Sequence, residues 1–224
     1  KTDFINNMTH EFKTPIATID LALNAVKNDK VKKDNALVDK YLNIVKEENK
    51  RMNLQVENVL KISQLENKNI LLNKTKININ DIILKSVASV KLLLDEKNGS
   101  IDLKLCENII EFEFAFDEMI NVFINILDNS IKYSRDEPKI HIETFMDQNQ
   151  IKVKISDNGI GMSTKVKNKI FENFYRETKG NIHNVKGHGL GLSYVKQIVD
   201  LHGGTISVSS DLNKGTSFTL SFNV

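Results

Sequence analysis

No glycine precedes Gly99, and only one proline, Pro15, lies in that same stretch. A segment so poor in the two residues that break helices has little room for tight turns. Cysteine is equally scarce: Cys106 stands alone, which excludes an internal disulfide and fits a reducing compartment. No apolar run approaches the roughly 18 to 20 residues that a membrane span requires. Nothing at the start reads as a signal peptide. Neither sign of charge is in excess, with 31 Lys and Arg against 29 Asp and Glu. That balance gives no reason to invoke nucleic acid or an anionic membrane surface as the main partner. What remains is 40% hydrophobic and 27% charged, the make-up of a globular chain with one large or two modest domains. The first residues, TDFINNMTH, already look helical without a cap before them, as expected of a piece of something longer.

Two regions differ in character. In residues 1–67 the apolar residues Phe4, Met8, Phe12, Ile16, Ile19, Leu23 and Val26 recur every three or four positions. A second run holds Leu42, Val45, Met52, Val56, Val59, Ile62 and Leu65. The polar stretch KNDKVKKDN joins them, with Asp34 or Asn35 placed to cap the second helix. Helix 1 should be about 40 Å long. Two helices cannot enclose both of their apolar stripes, so the hairpin is expected to form a dimeric four-helix bundle. From about residue 75 alternation takes over, in KININ, SIDLKL, KIHIETF, QIKVKISD, TISVSS and TSFTLSFNV. Helical patterns interrupt it near 81–97, 116–133 and 189–202. This mixture predicts an α/β sandwich, a mixed sheet with helices on one face. The boundaries expected are 1–67 for the hairpin, 68–75 for a linker and 76–224 for the second domain.

His10 sits in FINNMTHEFKTPIATID. On a helical wheel it falls opposite the apolar stripe, with Thr14 one turn along on its face and Glu11 beside it. A buried structural histidine is therefore not expected. The zinc pattern HExxH fails, because Thr14 occupies the position of the second histidine. An exposed imidazole acting as nucleophile, with Glu11 taking or polarising its proton, is a further possibility beside a plain surface histidine. Pro15 is expected to kink or loosen the helix just after it.

Three stretches of the second region look like parts of an anion or nucleotide pocket. In NVFINILDNSIKYS, Asn125, Asn129 and Lys132 share the polar face of a helix whose other side is apolar. Amide oxygens suit Mg²⁺ and an ammonium suits phosphate, although a solvated face reads the same way. In SDNGIGM a strand ends at Asp157, and Gly159 and Gly161 allow tight turns and close approach. A buried carboxylate there accepts from the exocyclic amine of adenine and repels a carbonyl; an ordinary Asp-Asn-Gly turn is the plain alternative. In KGHGLGLSYVKQIVDLHGG, Gly187, Gly189 and Gly191 precede an apolar-periodic helix, whose backbone N–H groups make an anion site; a plain flexible loop is the alternative. The spacing is neither a Rossmann fingerprint nor a Walker loop. Between them RETKGNIHNV reads as a mobile lid in which Arg176 can reach a phosphate.

Taken together, the order of motifs resembles the catalytic core of a sensor histidine kinase. HEFKTP resembles the phospho-acceptor box, NILDNSIKYS the asparagine box and DNGIGM the first glycine box. FENFYR resembles the phenylalanine box, GHGLGL the second glycine box and GTSFTL the last nucleotide-binding strand motif. Two departures are mild: Phe12 stands where an aliphatic residue is usual, and Ser130 where alanine is usual. The resemblance implies a GHKL-type ATP-binding domain, the sandwich shared with gyrase and heat-shock chaperones, after a dimerisation and phosphotransfer hairpin. It implies His10 as the phosphorylated residue, Glu11 as its base and Thr14 as the residue that orients water in dephosphorylation of the partner. Asn129 would hold Mg²⁺ with Asn125 in support. Lys132, Tyr133 and Arg176 would meet phosphate or the nucleotide edge, and Asp157 would read adenine. Gly159, Gly161, Gly187, Gly189, Leu190, Gly191 and Thr216 would shape the ATP pocket. The partners implied are a second copy of the hairpin and the receiver domain of a response regulator, with no nucleic acid and no membrane contact by this portion. The place implied is the cytoplasmic part of a membrane sensor.

Overall fold

The computed structural model describes residues 2–66, 72–107, 111–173, 175 and 189–223, with the backbone alone for 2–8, 10, 11, 54, 55 and 57–66. The chain divides into two compact units, Lys1–Ile70 and Leu71–Val224.

The first unit is a helical hairpin. Helix α1 (Thr2–Lys27) and helix α3 (Asn35–Glu66) pack on each other, joined through a single turn, α2 (Asp29–Lys32). The glycine-free sequence makes the connection itself helical: Asn28 caps α2 by accepting from the Lys30 N–H at 3.0 Å. Asp34 then caps α3, accepting from Ala36 at 3.0 Å and Leu37 at 3.2 Å. Pro15 lies inside α1, which runs through it from Thr2 to Lys27. Its ring removes one hydrogen bond of the helix.

The second unit opens with β1 (Thr75–Ile77) and α4 (Ile79–Asp95). The alternation in KININ is therefore strand for only half its length. Asn78 accepts from the Asn80 N–H at 2.9 Å and starts a helix there. Then follow β2 (Ser100–Lys104), β3 (Phe112–Phe114), α5 (Phe116–Lys132), β4 (Lys139–Asp147), β5 (Gln150–Asp157), the short α6 (Thr164–Lys167), α7 (Gly191–Leu201), β6 (Thr205–Ser210) and β7 (Thr216–Asn223). Among the described residues β1 and β3 form a small antiparallel pair. The main sheet runs β2-β4-β5-β7-β6, with β2 and β4 parallel and the other neighbours antiparallel. The mixed sheet with helices on one face is thus the observed architecture.

Alternation decides which face is covered. Ile140 and Ile142 of β4, Ile151, Val153 and Ile155 of β5, and Phe218, Leu220 and Phe222 of β7 are buried. From the helix layer Ile82, Ile83 and Val90 of α4, Val122, Phe123, Ile126 and Leu127 of α5, and Val195, Ile198 and Val199 of α7 meet them. Each such side chain contributes roughly 1.5–3 kcal/mol by leaving water. A buried histidine ties the end of α7 to the start of α5. His202 accepts from the Ala115 N–H through Nε2 at 2.9 Å, and its Nδ1 lies 2.7 Å from the Ile198 carbonyl. A carbonyl only accepts, so the ring is the neutral Nδ1–H tautomer.

Candidate active site

The end of β5 faces the helix layer, and Asp157 is its last residue. Across the sheet it pairs with Thr216, the first residue of β7. Asp157 Oδ1 accepts from the Gly159 N–H at 2.9 Å and from the Thr216 N–H at 3.1 Å. Its Oδ2 accepts from the Ser130 hydroxyl on α5 at 3.0 Å. Burial pushes the carboxyl above the usual carboxylate range, and the three donors pull the other way.

Backbone packing around the carboxylate leaves no room for side chains. A Cβ on Gly159 would lie 2.8 Å from Asp157 Oδ1 and 3.0 Å from the Tyr133 carbonyl oxygen, while the Ile160 N–H donates to that carbonyl at 3.1 Å. Gly161, at φ +66°, would put its Cβ 1.9 Å from the Asp211 carbonyl oxygen. Gly215, at φ +87°, would put its own 1.9 Å from the Asp157 carbonyl oxygen. Both positions require glycine for conformation as well as space. The β6–β7 turn is thereby fastened to the loop after β5, and the Asn213 N–H donates to the Ile160 carbonyl at 2.7 Å.

One face of α5 supplies the other half. Asn125, Asn129 and Lys132 are half-buried on its polar side, opposite the buried Met119, Phe123, Leu127 and Ile131. Asn125 Nδ2 donates to the Asn121 carbonyl at 2.8 Å. Its Oδ1 is turned towards α7, at 2.5 Å from where a Cβ of Gly191 would be, so any larger residue there displaces the amide. Tyr194, whose phenol bonds the Asn121 side chain, braces α7 against α5; burial first and Glu118 second push its hydroxyl up to about 12. Lys132 pairs with Asp128 one turn back, at 2.5 Å. Leu190 is buried just before α7, and Gly189 takes φ +67°. Among the described residues no side chain caps that helix start, whose N–H groups suit an anion.

The structure thus brings Asn125, Gly189, Leu190 and Gly191 together at the α5–α7 junction, and Asp157, Gly159, Gly161 and Thr216 at the β5–β7 end. In the other unit, Thr14 is exposed on α1, and its carbonyl accepts from the Thr18 hydroxyl at 3.1 Å. The side chains of His10 and Glu11, all of Arg176 and Gly187, and the expected lid lie outside the described residues. Ser130, Ser210 and Gly215 are participants that sequence reasoning passed over. Ser130 did carry a signal, as the one polar residue where alanine is usual.

A divalent ion fits the donor set in a limited way. Among the described residues no cluster of three or more His, Cys, Asp or Glu side chains could enclose a metal. The amide oxygens of α5 suit a hard cation that takes its remaining ligands from phosphate and water, as Mg²⁺ commonly does.

Residues 1–68 match the His Kinase A (phospho-acceptor) domain family. Residues 116–224 match the family described as histidine kinase-, DNA gyrase B-, and HSP90-like ATPase. The chain belongs to the sensor histidine kinases. It is 40% identical to the sensor protein RprX of Bacteroides fragilis (strain YCH46), over 98% of this chain and 43% of that protein. It is also similar to the solved histidine kinase AdeS of Acinetobacter baumannii, with TM-score 0.74 and 25% identity over 96% of this chain and 97% of that one. Its fold matches histidine kinase ThkA, solved in complex with response regulator protein TrrA, at TM-score 0.76 and 23% identity over 99% of this chain and 61% of that one. The chain spans about half the length of the curated relatives it matches.

Proposed function

We propose that this histidine kinase core phosphorylates its own His10 from ATP and passes the phosphoryl group to an aspartate of a response regulator. The observation that carries the reading is the half-buried Asp157, with its carboxylate held by Ser130, Gly159 and Thr216, in a chain that also holds the HEFKTP hairpin. A carboxylate fixed in this way accepts from the exocyclic amine of adenine. Asn125, the Gly189–Gly191 turn and the start of α7 face the phosphates, with Lys132 and Arg176 supplying charge and Tyr133 the nucleotide edge. Asn129 would hold Mg²⁺ with Asn125 in support, and the ion, when bound, offsets charge on the phosphates.

In the reaction a ring nitrogen of His10 attacks the γ-phosphorus in line. A nitrogen–phosphorus bond forms, the bond to the β,γ-bridging oxygen breaks, and ADP leaves. The second ring nitrogen gives its proton to Glu11. Positioning and charge neutralisation supply most of the acceleration. Thr14, exposed one turn beyond, orients water for dephosphorylation of the regulator. The chain acts as a homodimer through its hairpin and forms the cytoplasmic part of a membrane sensor; no helix among the described residues is long and apolar enough to cross a membrane.

Incubation with γ-labelled ATP tests this. The label should be acid-labile and base-stable, and His10→Gln should lose it. Normal labelling of that variant overturns the assignment. Thr14→Ala should lower phosphatase activity while autophosphorylation continues; equal loss of both speaks against separate roles.

A further inference from the structure

Ser210 is the last residue of β6 and is buried behind the Asp157 cluster. Its hydroxyl has three partners. The Met162 N–H donates to it at 2.8 Å, the Gly215 carbonyl lies at 2.8 Å and Thr216 Oγ1 at 3.1 Å. Counting protons fixes the directions. A serine hydroxyl has one proton, and a carbonyl can only accept, so that proton goes to Gly215. The Met162 amide only donates. Thr216 must then be the donor in the last contact. Its single hydroxyl proton is used inside the protein, and Oγ1 presents only lone pairs to a neighbour. Asp157 has the same polarity, and the proton of Ser130 is already committed to its Oδ2.

We propose that Ser210 sets the hydrogen-bond polarity of the base pocket. By drawing the proton of Thr216 to itself, it leaves an edge made of Asp157 and Thr216 that only accepts. Such an edge selects a purine with an exocyclic amine over one with a carbonyl at that position. The inference rests on the adenine reading given under Proposed function. Ser210 acts through Thr216 and is a positioning residue. The clamp is held from behind: Lys167 Nζ donates to the Ser210 carbonyl at 2.7 Å. At Gly161 and Gly215 a Cβ would lie 1.9 Å from a backbone carbonyl oxygen, and this close backbone approach keeps the turn in place.

The test is equilibrium binding of ATP and of ITP, which carries a carbonyl where ATP carries the amine, to the full chain. Wild type should prefer ATP. Ser210→Ala frees the Thr216 proton to donate to that carbonyl, so the preference should narrow about tenfold, chiefly through tighter ITP. Thr216→Val removes the hydroxyl, and adding Ser210→Ala to it should not change the ratio further. An unchanged ratio in Ser210→Ala overturns the proposal. Should Ser210→Ala fail to fold, Thr216→Val decides alone: an acceptor-only hydroxyl predicts no larger loss for ITP than for ATP, and a larger loss for ITP overturns the proposal. Wild type that binds neither nucleotide overturns the adenine reading itself, whereas wild type that binds ATP with no response to Ser210→Ala overturns only the role of Ser210.

Discussion

At the scale of single residues the site turns on how one carboxylate is kept charged in a half-enclosed place. Burial raises the pKa of Asp157, and the donors from Gly159, Ser130 and Thr216 oppose the rise. As pH falls through the raised value, the folded protein takes up a proton before the unfolded chain does, so this residue's contribution to stability grows. Over the same window the carboxyl loses the lone pairs that, on the proposed reading, the adenine amine needs. Nucleotide affinity should therefore fall with acidification, while thermal stability attributable to Asp157 rises. Ser130→Ala removes one donor and should move the midpoint of the affinity loss to higher pH; calorimetric titrations of ADP across pH 4.5–7.5 would check this, and an unmoved midpoint would count against it. Gly161→Ala places a methyl against a backbone carbonyl at a left-handed φ, and should cost about 2 kcal/mol or more, read as a lowered denaturant midpoint. That Asp157, Gly159, Gly161 and Thr216 come together was legible because each has a fixed place in a short motif. Ser130 showed only as a departure from the usual alanine and Ser210 not at all, because a serine's meaning depends on what lies opposite it, 27 and 6 residues away in the two bonds concerned.

Among the elements, the long helices and the five strands of the main sheet follow the hydrophobic period closely. The differences lie where a local capping bond or packing overrides the pattern. KININ alternates, but Asn78 caps α4 from within it. The link between the long helices is polar, yet Asn28 turns part of it into α2. β3 is only three residues long, too short for a period to show, and exists by pairing with β1. His202 shows how one side chain can join elements. Burial lowers its pKa, and the Ala115 N–H at Nε2 leaves no place for a second ring proton. As pH falls below the ordinary histidine value of about 6.5, the unfolded chain takes up a proton that the folded one refuses. Stability attributable to His202 is present above that value and is lost below it. The melting temperature of His202→Gln should accordingly lie below that of wild type near pH 7.5, and the gap should narrow towards pH 5. A gap that stays constant over that range would refute the coupling.

For the whole molecule, the hairpin leaves apolar surface that one copy cannot cover. Ile16, Leu23, Leu42 and Val56 are 46%, 40%, 46% and 45% exposed in a single chain. A second hairpin is the partner of matching shape and period. Leu23→Lys with Leu42→Lys should convert the dimer to monomer in light scattering; a double variant that remains dimeric would show that these residues lie off the interface. The division into two units was legible from the onset of glycine and of alternation, while the pairing order of the sheet was not, since no local pattern reports which strands become neighbours. That order has a kinetic consequence. Asp157 and Thr216 are linked at 3.1 Å although 59 residues separate them along the chain. Strand β7 must therefore find β5 after a long excursion, and a slip of one position would turn Thr216 to the outer face and bring Ser217 opposite Asp157. Loop closure of this length delays such a contact in folding. Nucleotide binding should then appear only with the last refolding phase, and added nucleotide should slow unfolding without hastening folding. The ligand becomes a count of molecules whose sheet is in register.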